Sequence, residues 1–176
     1  MPVVPFPVVG FGIAVDANDS TAKAELGAYY VVRGTSGQYS IARYIQATDG
    51  FSEGEAAITD YATLKDYKVA RSATTTAYNP VCRGIAAATI ASGNYGYVFV
   101  AGYVPIIDVS HTAASGEGLV PGASTQGKFS PNLASSVLDA TIGTGPNVTI
   151  PYFVVAFARE AIVTGVGSAQ INGWWG

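Results

Sequence analysis

The residues whose types and spacing could support chemistry are few, and each set lacks a part that its chemistry requires. Gly122-Ala-Ser-Thr-Gln-Gly127-Lys128 has the spacing of a phosphate-binding loop. That mechanism needs a Ser or Thr next, for magnesium, and a helix whose N-terminus faces the phosphates. Phe129 follows instead, then Ser130-Pro131, which ends any such helix. Asp16-Ala-Asn18-Asp19-Ser20 opens like a calcium loop, but Thr21 and Gly27 stand where the scheme wants Gly and Glu. Only a cation site of another kind would fit there. Asp108, Ser110 and His111 invite a triad, yet triads assemble from separated segments, and no G-x-S-x-G elbow exists. Cys82 sits in an apolar run and reads as a small core residue. Glu53 and Glu55 form a carboxylate pair whose Ser-Glu-Gly-Glu context reads as an exposed turn. Asn147-Val-Thr149 is a glycosylation sequon, meaningful only with secretion. No catalytic residue and no enzyme activity is expected, and no cofactor or metal.

Composition excludes further classes. The chain has 176 residues, 49% hydrophobic and 12% charged, with net charge −3, one Cys and one His. Low charge with full apolar content argues for a packed core rather than a disordered chain. The balance of charge gives no electrostatic footprint for nucleic acid. One cysteine excludes a disulfide framework. The uncharged stretch Gly84–Ile107 is long enough to span a bilayer. It holds Gly93-Asn94 and Pro105, so two short strands joined by a turn fit better, and no membrane partner is expected.

The elements that would position these residues are β-strands. Tyr29–Val32, a turn at Gly34–Gly37, and Gln38–Ala47 read as a hairpin. Residues 55–66 are the best helix candidate, with Ala57, Tyr61 and Leu64 near helical spacing. Strand-like runs recur at Tyr67–Arg71, Val81–Ile90, Gly96–Val104, Tyr152–Ala158 and Ser168–Trp174. In Tyr95–Tyr103 both alternating faces are apolar, as in a strand covered on both sides. The fold class is therefore all-β, a compact barrel or sandwich of short antiparallel strands with at most one short helix. An internal repeat reinforces this. Ala88–Gly93 is echoed by Glu160–Gly165, and Tyr95–Tyr103 by Val166–Trp174. Residues 16–176 are read as a single β domain containing two related hairpins, at about 82–104 and 152–175, preceded by an extended arm over 1–15.

Two features imply a partner. The arm carries no charged side chain before Asp16, and its prolines forbid a helix and a central strand. It lacks the basic region of a signal peptide. Pro2, Val4, Pro5, Phe6, Pro7, Val9 and Phe11 are too apolar to be left in water, so the arm should lie on a surface, a neighbouring subunit being favoured over the chain's own sheet. Trp174 and Trp175 point to opposite faces of an extended backbone, which leaves one for an interface.

Gly84-Ile85-Ala86, Ile90–Gly93 and Tyr95–Gly102, with Ala114–Pro121 leading to Thr125–Lys128, resemble a pattern of turns and strands in tailed-phage capsid decoration (cement) proteins and related small virion proteins. The resemblance covers about residues 82–130 and the repeat near the C-terminus. It implies an all-β subunit, often a homotrimer, bound to the major capsid protein on the outside of an icosahedral capsid. Such a subunit is made in the host cytoplasm without a signal peptide, and stabilises the shell by bridging neighbouring capsid subunits. A β-module of a tail, fibre or carbohydrate-recognition apparatus is the alternative.

Overall fold

The computed structural model describes residues 8–11, 14–34, 37–60, 67–71, 82–121, 125–131, 156–163 and 165–171. Among them there is no helix. The strands are β1 (Val8–Phe11), β2 (Tyr29–Arg33), β3 (Tyr39–Ala47), β4 (Ala56–Thr59), β5 (Lys68–Arg71), β6 (Cys82–Ala86), β7 (Tyr95–Val109), β8 (Gly118–Pro121), β9 (Phe129–Pro131), β10 (Ala156–Ala158) and β11 (Gly165–Ile171). The chain is all-β, as its sequence predicts. β2 and β3 form the expected antiparallel hairpin, with Arg33 opposite Tyr39 across the turn. The uncharged stretch from Gly84 becomes the end of β6, a turn at Gly93, and β7.

The helix read over residues 55–66 does not form at its start. Ala56–Thr59 is a strand with all four residues buried, paired to β5 and β6. Its small and β-branched side chains fit between two strands, and tertiary pairing overrides the modest helical preference of the Ala pair. Residues 61–66 lie outside the described residues.

The pairings close two rings that share one strand. β3 pairs with β5, β5 with β4, β4 with β6, β6 with β7, and β7 returns to β3. β7 then pairs with β9, β9 with β8, β8 with β10, β10 with β11, and β11 returns to β7. Each ring is a small barrel, and small barrels are filled by their own side chains. The 15-residue β7 lends its first half to one barrel and its second half to the other.

The two barrels repeat each other in detail. Ala47 pairs in parallel with Val69, and Val109 with Phe129. Gly84 faces Ala57, as Ala156 faces Leu119. Ala86 faces Val98, as Ala158 faces Ala169. The Thr48 amide donates to the Val69 carbonyl at 2.8 Å, and the Ser110 amide to the Phe129 carbonyl at 2.8 Å. The interiors correspond as well. The first is Ile45, Ala47, Phe51, Ala57, Val69, Ala86, Ile90, Val98 and Val100. The second, taken in the same order, is Ile107, Val109, Ala113, Leu119, Phe129, Ala158, Ile162, Ala169 and Ile171. Where the first barrel has Phe51 and Val69, the second has Ala113 and Phe129, so each holds one phenyl ring, on a different wall. The repeat seen in the sequence is the second part of this larger unit.

Ile90 and Ile162 are the matching plugs. Each is buried, and each sits against a glycine of the following strand. A Cβ on Gly96 would lie 2.6 Å from Ile90 Cδ1, and one on Gly167 2.5 Å from Ile162 Cγ1.

The first barrel has a second apolar layer. Ala42, Tyr44, Ile85, Tyr97 and Phe99 are covered by Tyr30 and Val32 of β2 and by Val15, Ala17, Ala24 and Leu26. Tyr97 meets Tyr30 edge-on at 5.6 Å and Tyr44 at 4.9 Å. Asn18 and Asp19 fasten this layer. Asn18 Oδ1 accepts from the Ala91 amide at 2.9 Å and from Asn94 Nδ2 at 2.8 Å, while Asp19 and Tyr95 exchange backbone hydrogen bonds.

Truncating either plug should cost about 2–5 kcal/mol, the usual range for Ile→Ala in a filled core. Urea unfolding of Ile90→Ala and Ile162→Ala should give losses of similar size. A near-neutral result for either would show that its barrel is not packed around that residue.

Candidate functional site

Of the residues expected at an interface, the structure places Val9 and Phe11 on β1. That strand pairs in parallel with β2, Val8 opposite Tyr29 and Phe11 opposite Val31. Part of the arm therefore lies on the chain's own sheet. Pro2, Val4, Pro5, Phe6, Pro7, Trp174 and Trp175 lie outside the described residues.

The candidate chemical sets make structural contacts. Asp108 Oδ1 takes a 3.0 Å ion pair from Lys128 Nζ, which joins a member of the triad-like set to the lysine of the phosphate-loop spacing. Gly127 and Lys128 lead into β9, not a helix. Ser110 Oγ lies 2.9 Å from His111 Nδ1, but also 3.0 Å from Ser130 Oγ and 3.1 Å from the Phe129 carbonyl, which it holds as a strand closure. In the calcium-like loop, Asn18 serves as the clamp described above and Asp19 pairs with Lys23 at 2.6 Å. Cys82 is buried, and burial pushes its thiol up to about 12, so it stays protonated and inert. Asn147 lies outside the described residues. Among the described residues, no group of His, Cys, Asp and Glu is disposed to hold a metal, and no helix is long and apolar enough to cross a membrane.

One sequence reading is corrected outright. Glu53 is exposed, but Glu55 is only 5% exposed. The Ser52–Glu55 turn is driven into the seam between the barrels. The Ala56 amide donates to the Gly127 carbonyl at 2.6 Å and the Asp108 amide to the Gly54 carbonyl at 3.0 Å. The Glu55 carboxylate accepts from the Ser52 amide at 2.7 Å, faces Arg71 Nη1 at 3.7 Å, and packs against Gly127. Arg71 Nη2 in turn donates to Gln126 at 3.3 Å. Burial raises the Glu55 pKa most, with Asp108 adding to it. The Ser52 amide, Arg71 and Lys128 oppose. A second Gly-Glu, Gly116-Glu117, stands at the equivalent place of the second barrel and its glycine is exposed, so nothing local to the motif marks Glu55 as buried.

A cleft of about 460 Å³ opens beside the shared strand, where the outer layer ends. Phe99, Tyr103 and Val32 supply apolar walls, and Asp16, Arg33 and Glu53 supply charge. The Arg159 guanidinium lies over the Tyr103 ring at 5.1 Å. Tyr103 of the cleft wall follows Gly102, where β7 passes from one ring to the other.

No protein-family model and no curated protein matches the chain. Among solved structures it is similar to the head fiber gp8.5 N base in bacteriophage phi29, with 14% sequence identity and a TM-score of 0.46, over 77% of this chain and 97% of that one.

A buried carboxylate with a raised pKa takes up a proton on folding, so its contribution favours the fold increasingly as pH falls through the raised value. The stability of the native chain relative to Glu55→Gln should therefore rise as pH falls from neutrality toward the usual carboxylate range. Glu160, held below the usual carboxylate range by the Ser168 amide and hydroxyl, acts in the opposite sense and cancels in that difference. Urea midpoints for both proteins across the range would check it, and parallel curves would overturn it.

Proposed function

We propose that this chain is a bacteriophage virion structural protein, which decorates an icosahedral capsid and stabilises it by bridging neighbouring capsid subunits. The observation that carries the reading is the placement of the residues that resemble decoration proteins. Gly84–Gly102 builds the β6–β7 hairpin, and Ala114–Lys128 builds the matching turn, β8 and the approach to β9. The resemblance thus falls on the repeated barrel unit. A second support is the filling of both interiors by apolar side chains, which leaves recognition to the outer surfaces and termini. The partner on this reading is the major capsid protein, on the capsid's outer face, with copies of the chain clustered around a symmetry axis.

The mechanism needs no reaction. Residues 1–7, with Pro2, Val4, Pro5, Phe6 and Pro7, and the pair Trp174 and Trp175 bury apolar surface across seams of the shell. An interaction available only in the assembled shell stabilises it by mass action. Burying one such side chain contributes about 1.5–3 kcal/mol. A few per subunit, repeated over a capsid, add substantially to the work of separating capsomers.

The cleft beside Tyr103 favours one alternative, a β-module of a tail, fibre or carbohydrate-recognition apparatus. An aromatic wall with Asp16 and Glu53 as acceptors suits a sugar. Glycan-array binding lost in Tyr103→Ala would establish that reading.

Rate-zonal sedimentation of virus-producing cultures, with the chain followed by peptide mass spectrometry, tests the proposal directly. Co-migration with capsids in copies comparable to the shell protein is the expected result. A few copies per particle would indicate a tail or fibre part, and a chain left at the top of the gradient would overturn the virion reading. Removal of residues 1–7, which spares β1, should leave the fold intact and abolish capsid binding. Full binding by that truncation would remove the arm from the mechanism.

A further inference from the structure

The link between β3 and the seam turn holds the one Asp-Gly pair of the sequence, Asp49-Gly50. Both ends of this link are fixed. Before it, the Thr48 amide and hydroxyl donate to the Val69 carbonyl at 2.8 and 3.0 Å, and the Thr48 carbonyl accepts from Ser92 Oγ at 2.8 Å. After it, Phe51 and Ile90 exchange backbone hydrogen bonds at 2.8 and 3.0 Å, and the Phe51 ring is seated in the first barrel. The two residues between are left out of this network. The Asp49 side chain is exposed and makes no hydrogen bond or ion pair among the described residues. The Gly50 amide donates to none of them either.

A nucleophile and an electrophile thus stand side by side with nothing else to bind. Bonding of the Gly50 nitrogen to the Asp49 carboxyl carbon closes a five-membered ring, and a residue without Cβ leaves that closure uncrowded. Asp19-Ser20 is a contrasting pair, because Asp19 Oδ1 is held by Lys23 Nζ at 2.6 Å. The second barrel offers a second contrast. There the equivalent link, between Ser110 and Ala113, is His111-Thr112, which has no carboxyl and carries a β-branched residue at the attacking position.

We propose that Asp49-Gly50 is a site of spontaneous isoaspartate formation in the folded chain, and that the change loosens the first barrel. The Gly50 nitrogen bonds to Cγ of the protonated Asp49 carboxyl, and the carboxyl OH leaves with the amide proton as water. Water then adds back to the succinimide. Cleavage of the bond between Cγ and the Gly50 nitrogen restores Asp49. Cleavage of the bond between the Asp49 main-chain carbonyl carbon and that nitrogen leaves the backbone running through Cβ and Cγ. Nothing is oxidised or reduced, and the mass of the chain is unchanged. The backbone gains one carbon in a two-residue link whose ends are both fastened, so the displacement falls on the Phe51–Ile90 bridge. The inference does not depend on a role in virions.

Ageing of the native full chain at neutral pH and physiological temperature tests it. Isoaspartate is labelled with an isoaspartate-specific methyltransferase and placed by peptide mapping with electron-transfer fragmentation. The peptide holding residues 49 and 50 should take up label with time, without a change of mass. Deamidation at Asn172-Gly173 would be separated by its own peptide and by its mass change. Gly50→Ala should lose most of the label at residue 49. A Cβ on Gly50 would meet only Ser92 N at 3.7 Å and Ile90 O at 3.8 Å, ordinary contacts, and its φ lies outside the left-handed region, so the variant should fold. Asp49→Glu, which keeps the charge and enlarges the ring that must close, serves as the second variant. Aged native chain should unfold at lower urea than fresh chain, and aged Gly50→Ala should not. Label at residue 49 in urea-unfolded chain but not in native chain would overturn the proposal, because the fold would then protect the pair. So would label undiminished in Gly50→Ala, no label at residue 49 in either state, or an aged chain that carries the label and unfolds like the fresh one.

Discussion

Everything in this molecule depends on β7 serving two barrels at once. A strand of ordinary length closes one ring, but this one passes the first ring's seam and becomes the founding wall of the second. The passage is made at Gly102, which pairs with Ser40 on β3 and with Ile171 on β11. Its φ of +85° is one that L side chains rarely adopt, and a Cβ there would overlap the Tyr39 carbonyl oxygen. Neither barrel can lose β7 and stay closed. The seam turn at Ser52–Glu55, the cleft beside Tyr103 and the burial of Glu55 all follow from two barrels being held this close by one backbone.

Much of the fold was legible because its signals were local. The Gly34–Gly37 turn between β-branched runs marks the β2–β3 hairpin, and the double apolar face of Tyr95–Tyr103 marks a strand with an inner and an outer core. The matched Ile-x-x-Gly turns pointed to related hairpins, and the full repeat is larger than they show because its first strands differ in sequence. Leu119 stands where Ala57 does and Phe129 where Val69 does, so only the pairing reveals the correspondence. Residues 55–66 misled because two adjacent alanines carry a helical preference, while the pairing that makes them a strand comes from β5 and β6, remote in sequence. β8 and β9 are too short for periodicity to register.

The site was less legible than the fold. Composition and missing motif parts already disfavoured catalysis, and the contacts of Asp108, Ser110 and Lys128 give each a structural employment. Glu55 escaped because a Ser-Glu-Gly-Glu turn reads as solvated unless a second barrel is known to press on it.

A repeated arrangement within one chain carries a hazard, since strands of one ring can be captured by the other during folding. The relocated phenyl ring guards against it. Phe51 fills the first interior from the segment ahead of β4, and Phe129 fills the second from β9. If β9 took the place of β5, two rings would compete for one interior and the other would be left hollow. Mispaired assemblies are thus penalised twice, by crowding on one side and by a void on the other. The placing of the large side chains on different walls distinguishes two rings whose strands pair alike.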